Sequence, residues 1–249
     1  MFLHSNENKP WWWRPHQKLN FGDELAKVVI EKILEKEVQR GNLEKKSEKL
    51  LFSVGSVLNF ARDGDVVWGS GSRSHNLIFP KNLDIRAVRG PLTRNLLLKQ
   101  GIACPEIYGD PALLLPLLFP EYKKAQNPSF DYIIIPNIGE ISAFKNYKNV
   151  VNPTEDYKTV VQYILRSKLV ISSSLHGIIV AEAFGVPARL LKMTRMEPFW
   201  KYLDYYESTG RKSFTYATSV QSALQMGGEE PGYMDIQPLL KAFPYDFFD

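Results

Sequence analysis

The residues best suited to chemistry lie in Ser172-Ser173-Ser174-Leu175-His176-Gly177, where a serine run leads a histidine into a stretch with helical character. Free N–H groups and the dipole at a helix N-terminus favour an anion, and an imidazole that titrates near neutrality can give or take a proton beside it. The plainer reading is a serine-rich cap with a histidine that only packs. Arg89, in Arg89-Gly90-Pro91-Leu92-Thr93-Arg94, has the planar guanidinium that holds a phosphate or carboxylate through two parallel hydrogen bonds. It can equally pair with a carboxylate of the chain, for instance Asp110. Asp110, in Gly109-Asp110-Pro111-Ala112, can bind a sugar hydroxyl or cap a turn. Asn20-Phe21-Gly22-Asp23 and Trp68-Gly69-Ser70-Gly71 are weak signals singly, since glycine and aspartate are common in turns, but they gain weight by occurring together. Aromatics gather at Trp11-Trp12-Trp13 and in the segment from Lys201 to Arg211, suiting either core packing or carbohydrate stacking.

These residues need a scaffold, and the alternation of apolar runs with amphipathic stretches predicts an α/β protein with parallel strands. A helix is expected over Glu24–Lys36, capped by Asn20 or Asp23, and strands over Lys49–Val54, Asp65–Trp68 and Asp84–Val88. The next helix runs Leu92–Gln100, with Pro91 in its first turn and Gly101 ending it. Polar residues Lys123–Ser129 suit a linker between halves at 1–122 and 123–249. The second half repeats the pattern: strand Asp131–Pro136, helix Asp156–Ser167, strand Leu169–Ser172, helix Ile178–Phe184, strand Ala188–Leu191. In such folds ligands bind beyond the carboxyl ends of the strands, which is where all the loops named above fall.

Composition narrows the function classes. The chain has 249 residues, 44% hydrophobic and 23% charged, enough for a sizeable core and ordinary for a folded protein. A net charge of +4 is too small to argue for nucleic acid, yet it is compatible with a local anion site. Cys104 is the only cysteine, so neither an internal disulfide nor a cysteine metal cluster can form. Met1–Pro10 lacks the apolar core of a signal peptide, and the greasy run Ala112–Phe119 is broken by Pro116. The expectation is a cytoplasmic chain, at most in peripheral contact with the inner face of a membrane.

Taken in order, the motifs at Asn20–Asp23, Trp68–Gly71, Arg89–Thr93, Gly109–Ala112, Ser174–Gly177 with Ala181–Pro187, and Asp204–Arg211 resemble the polysaccharide pyruvyltransferase family, especially members of succinoglycan-type exopolysaccharide synthesis. The resemblance implies two Rossmann-like halves in a compact glycosyltransferase B arrangement. It also implies phosphoenolpyruvate as donor, a sugar acceptor that is often lipid-linked, and a pyruvate ketal as product with phosphate released. Phosphoenolpyruvate is then a co-substrate, and no cofactor or metal is required. Under this reading His176 and Asp23 are catalytic, while Arg89, Ser173, Ser174, Leu175, Gly177, Gly69 and Ser70 serve the donor. Asn20, Trp13, Asp110 and Tyr205 serve the acceptor, with the N-terminal half on the acceptor side. Some family members carry an arginine where this chain has Ser174, so Arg73, Arg94, Lys192 or Arg195 are candidates to replace it. The Leu-His-Gly segment also resembles the donor motif of nucleotide-sugar glycosyltransferases, which is the alternative function. A non-catalytic carbohydrate-binding protein of the same fold is the third.

Overall fold

The structure, a computed structural model, describes residues 8–14, 18–194, 197–229 and 231–249; His4, His16 and Arg195 lie outside them. Strand β1 (Lys9–Trp11) leads through a loop to helix α1 (Phe21–Leu34), then to strands β2 (Leu50–Phe52), β3 (Val66–Trp68) and β4 (Asp84–Ala87). These four strands form a parallel sheet in the order β1-β2-β3-β4. Helix α2 (Pro91–Lys99) follows β4, and a single-turn helix at Pro111–Leu114 runs into the short α3 (Leu115–Leu118). The second sheet is also parallel, in the order β5-β6-β7, built from β5 (Ile133–Ile135), β6 (Val170–Ser172) and β7 (Ala188–Leu190), with α4 (Tyr157–Leu165) and α5 (Leu175–Ala183) as its crossovers. The chain closes with α6 (Trp200–Ser208), α7 (Val220–Met226) and α8 (Gln237–Lys241). The predicted α/β architecture with two parallel sheets is the one observed.

Why the strands read as continuous apolar runs is visible in where their side chains go. Alternate residues of a strand face opposite ways, so a strand covered on both faces must be apolar throughout. Leu51, Val66 and Trp68 of the first sheet and Ile133, Ile135, Val170 and Leu190 of the second point into one shared core, which α1, α4 and α5 fill between the sheets. Leu50, Phe52 and Val67 face a separate cluster behind the first sheet, and Ile134 and Ile171 another behind the second. The halves expected at 1–122 and 123–249 therefore share one core at their junction.

The helix ends carry their own stop and start signals. Asn20, in extended backbone, accepts a hydrogen bond from Gly22 N–H and caps α1, while Asp156 caps α4 through Lys158 and Thr159 N–H. Helix α5 starts at Leu175, three residues earlier than predicted, because it is buried on every side and so shows no periodicity to mark its first turn. His176 thus sits inside the first turn rather than in the loop before it. Helices α7 and α8 were not anticipated, being 7 and 5 residues long, too short for a periodic pattern to show. No helix among the described residues is long and apolar enough to cross a membrane.

Candidate active site

A cavity of about 210 Å³ opens where the carboxyl ends of both sheets meet. Trp13 enters it from the loop after β1, Ser56, Val57, Asn59 and Phe60 from the loop after β2, and Arg73 from the loop after β3. Asn137 and Ile138 follow β5, Ser174, Leu175 and His176 follow β6, and Glu197 follows β7. The first turns of α1 and α6 add Asn20, Asp23 and Lys201. The edge to which sequence reasoning pointed carries this cavity, and six of the expected site residues, Trp13, Asn20, Asp23, Ser174, Leu175 and His176, line it.

His176 is 8% exposed and lies in the first turn of a helix whose N-terminus no side chain caps. Its ring rests on Gly22, where a Cβ would come within 2.2 Å of Nδ1, so only glycine lets α1 and α5 approach this closely. Nε2 stands 3.5 Å from Asp110 Oδ2, at ion-pair distance but off the line of a hydrogen bond, and makes no hydrogen bond among the described residues. Asp110 is itself fully buried and held by N–H donors from Gly55 and Ala112. Asp23 faces the same space: its Oδ1 and His176 Cε1 each lie 3.6 Å from where a Cβ on Gly55 would stand. Burial pushes the Asp23 carboxyl up to about 6, against the opposing pull of His176 and Lys201. A carboxyl whose proton is held up to about pH 6 and a histidine therefore share one wall.

The remaining side of the cavity is cationic. Lys201 is 7% exposed, and its ammonium bonds the Glu197 carboxylate; Arg73 Nη2 lies 3.2 Å from the same carboxylate. Lys192 donates to the Glu197 backbone carbonyl at 2.8 Å. Desolvation lowers the pKa of Lys201, which Glu197 opposes. Trp13 stacks on Phe60, with ring centroids 4.9 Å apart, to make an aromatic wall facing these charges.

Several expected site residues have other work. Arg89 is fully buried: Nε donates to Asp204 Oδ2 at 3.1 Å, Nη1 to Ser56 Oγ at 2.5 Å and Nη2 to the Ser72 carbonyl at 2.8 Å. The guanidinium does not face the cavity, and its carboxylate partner is Asp204 on α6, not Asp110. Tyr205 is buried as well, donating to Glu182, which also pairs with Arg211. Ser70 is buried and donates to the Gly55 carbonyl, while Gly69, at φ 83°, packs on Pro111. Ser173 lies just beneath the cavity, accepting from Asn137 N–H, and Gly177 packs on Ser172. Among the candidates to replace an arginine at Ser174, Arg73 reaches the cavity, Lys192 braces Glu197, and Arg94 is engaged with the Cys104 carbonyl.

The residues missed were Lys201, Glu197, Asn137, Ser56, Asn59 and Phe60. Asn137 had a usable signal, since it directly follows a strong strand at its carboxyl end. Lys201 lies in the aromatic segment already singled out, where the sequence favoured Tyr205. The helical turn places Lys201 at the cavity and Tyr205, four residues on, in the core.

Comparison with known proteins adds four findings. Residues 20–192 match the family model described as polysaccharide pyruvyl transferase. The chain is 33% identical over 220 residues to the succinoglycan biosynthesis protein ExoV of Rhizobium meliloti, covering 81% of this chain and 65% of that protein, so it spans just under two thirds of that relative's length. It is 24% identical over 226 residues to an uncharacterized protein of Acanthamoeba polyphaga mimivirus, covering 84% of this chain and 78% of that one. A crystal structure of an uncharacterized protein from Klebsiella pneumoniae shares the fold, with a TM-score of 0.53 and 12% identity over 81% of this chain and 88% of that one.

Proposed function

Since the chain belongs to the polysaccharide pyruvyl transferase family, we propose that its cavity binds phosphoenolpyruvate and transfers the pyruvyl group to a hexose of a surface polysaccharide precursor carried on a lipid. The observation that carries this reading is the convergence of His176, the α5 N-terminus, Asp23 and two cations on one small space. Each is something the reaction needs.

The donor carries a phosphate and a carboxylate, and an anion is favoured both at the helix N-terminus and beside Arg73 and Lys201. His176 delivers a proton to the methylene carbon of phosphoenolpyruvate, leaving positive charge on the adjacent carbon. A sugar hydroxyl attacks that carbon, forming a C–O bond, and gives up its proton to Asp23. The C–O bond to phosphate then breaks, phosphate leaves with the electron pair and takes up the proton held by Asp23, and a second hydroxyl of the same sugar closes the ketal, its proton returning to His176. Atoms balance without an oxidant or a metal: phosphoenolpyruvate and a diol become a ketal and inorganic phosphate. The Trp13–Phe60 wall offers the acceptor an apolar face on which a sugar ring can stack.

Incubating the protein with phosphoenolpyruvate and lipid-linked saccharides, followed by mass spectrometry, tests the reading. The expected product carries one added pyruvate ketal and appears with an equivalent of phosphate. Stabilisation by a nucleotide sugar and not by phosphoenolpyruvate would instead support the glycosyltransferase alternative. His176→Gln is expected to lower turnover about 100-fold with donor affinity little changed, the scale of losing a general acid. Near-native turnover in that variant would reduce His176 to a packing residue.

A further inference from the structure

Glu197 is a carboxylate of the cavity wall, and it holds the two cations that line the cavity, Lys201 and Arg73. Lys201 is almost buried, its side chain 9% exposed, while Arg73 on the other side of the same carboxylate is 52% exposed. One negative charge is thus shared by two positive ones. An ammonium has three donors, and among the described residues Glu197 takes one of those on Lys201. The Glu197 main chain is fixed separately, by Lys192 donating to its carbonyl, so its side chain can turn away without moving the backbone.

Resting on the reading above, we propose that Glu197 is an internal stand-in for the donor's phosphate, and that Lys201 and Arg73 bind that phosphate once it displaces the Glu197 carboxylate. Three acceptor oxygens and up to two charges make phosphate a better match than a single carboxylate for a lysine and an arginine together. The donor's own carboxylate is then left to the α5 N-terminus at Ser174 and Leu175, which lines the same cavity. The arrangement keeps a buried cation paired while the site is empty, which an unpaired Lys201 would make costly.

Titration calorimetry of the full chain with inorganic phosphate, pyruvate and phosphoenolpyruvate, on four proteins, tests this. Lys201→Gln should weaken phosphate and phosphoenolpyruvate tenfold or more, the scale of a charge-assisted hydrogen bond, and leave pyruvate unchanged. Lys201→Arg should retain most of the phosphate affinity. Glu197→Gln should bind phosphate about fivefold more tightly, since it removes a competing like charge at about 4 Å. A structural clamp would give the opposite sign, so weaker phosphate binding by Glu197→Gln overturns the proposal. So does pyruvate, in place of phosphate, following Lys201. Should Lys201→Gln fail to fold, the sign of the Glu197→Gln effect decides alone. Phosphate binding that follows the prediction in a protein that never consumes phosphoenolpyruvate would keep this subsite and reject the donor; consumption with affinities indifferent to both residues would do the reverse.

Discussion

Helix α6 carries two ionic networks within one turn of each other, Lys201 with Glu197 and Arg73, and Asp204 with Arg89. The second is sealed: both partners are fully buried, and Asp204 also accepts from Thr93 N–H at 2.9 Å and from Thr93 Oγ1 at 2.7 Å. Every polar atom of that pair's contact has a partner, and the pair ties α6 of the second half to the start of α2 in the first. The Lys201 network is open to the cavity and has more positive groups than negative ones. A sealed, satisfied pair holds geometry, whereas an open, unbalanced one is free to exchange its counter-ion. Residue type did not separate these roles, since Arg89 looked the better anion ligand of the two cations.

The strongest test of this contrast is Arg89→Met. Leaving Asp204 buried without its partner should cost about 3–5 kcal/mol of stability, read by urea unfolding. A variant of native stability that had lost affinity for phosphoenolpyruvate would mean that Arg89 serves the ligand, and the contrast would fail.

Asp23→Asn should move stability the other way. The Asp23 carboxyl is raised in the folded protein from 3.8 to about 6, so the native state holds a proton that the unfolded state has released between these values. Stability therefore falls as pH rises through that window, and the full cost is present above pH 6. The asparagine variant removes a cost on the order of 2–3 kcal/mol at neutral pH and nothing below pH 3.8. Melting curves at both ends of the window check it, with turnover expected to drop as stability gains, the usual trade at an active site. Equal melting shifts at both ends would show that desolvation is not the cause.

The smallest effect should come from the surface. Arg86 pairs with Asp246 at 2.6 Å, but the side chains are 32% and 64% exposed. Asp246→Asn should change stability by less than about 1 kcal/mol, and salt should erase even that. A larger loss would show that exposure is a poor guide to which ion pairs hold this fold.

Much of the molecule was legible from local pattern. Leu50–Phe52, Ile133–Ile135 and Val170–Ser172 announced themselves as strands because both of their faces are buried, and Asn20, Asp156 and Gly101 marked helix ends through chemistry confined to a few residues. His176 was legible for the same reason: strand, serine run and helix are consecutive in the chain. The side of the sheet on which the cavity opens followed from strand direction alone.

What the sequence could not determine was which way long side chains turn once helices from opposite halves meet. Arg89 and Lys201 are both cations beside plausible anion loops, and only the packing of α6 against α2 gave Asp204 to the first and cavity space to the second. Tyr205 and Trp13 are both aromatic, yet one is sealed against Glu182 and the other faces the site. Strand and cap preferences arise from neighbours a few residues apart, so the sequence contains them. The partner of Arg89 lies 115 residues away, and the choice between pairing and binding is made by burial, a property that exists only when the whole chain has folded.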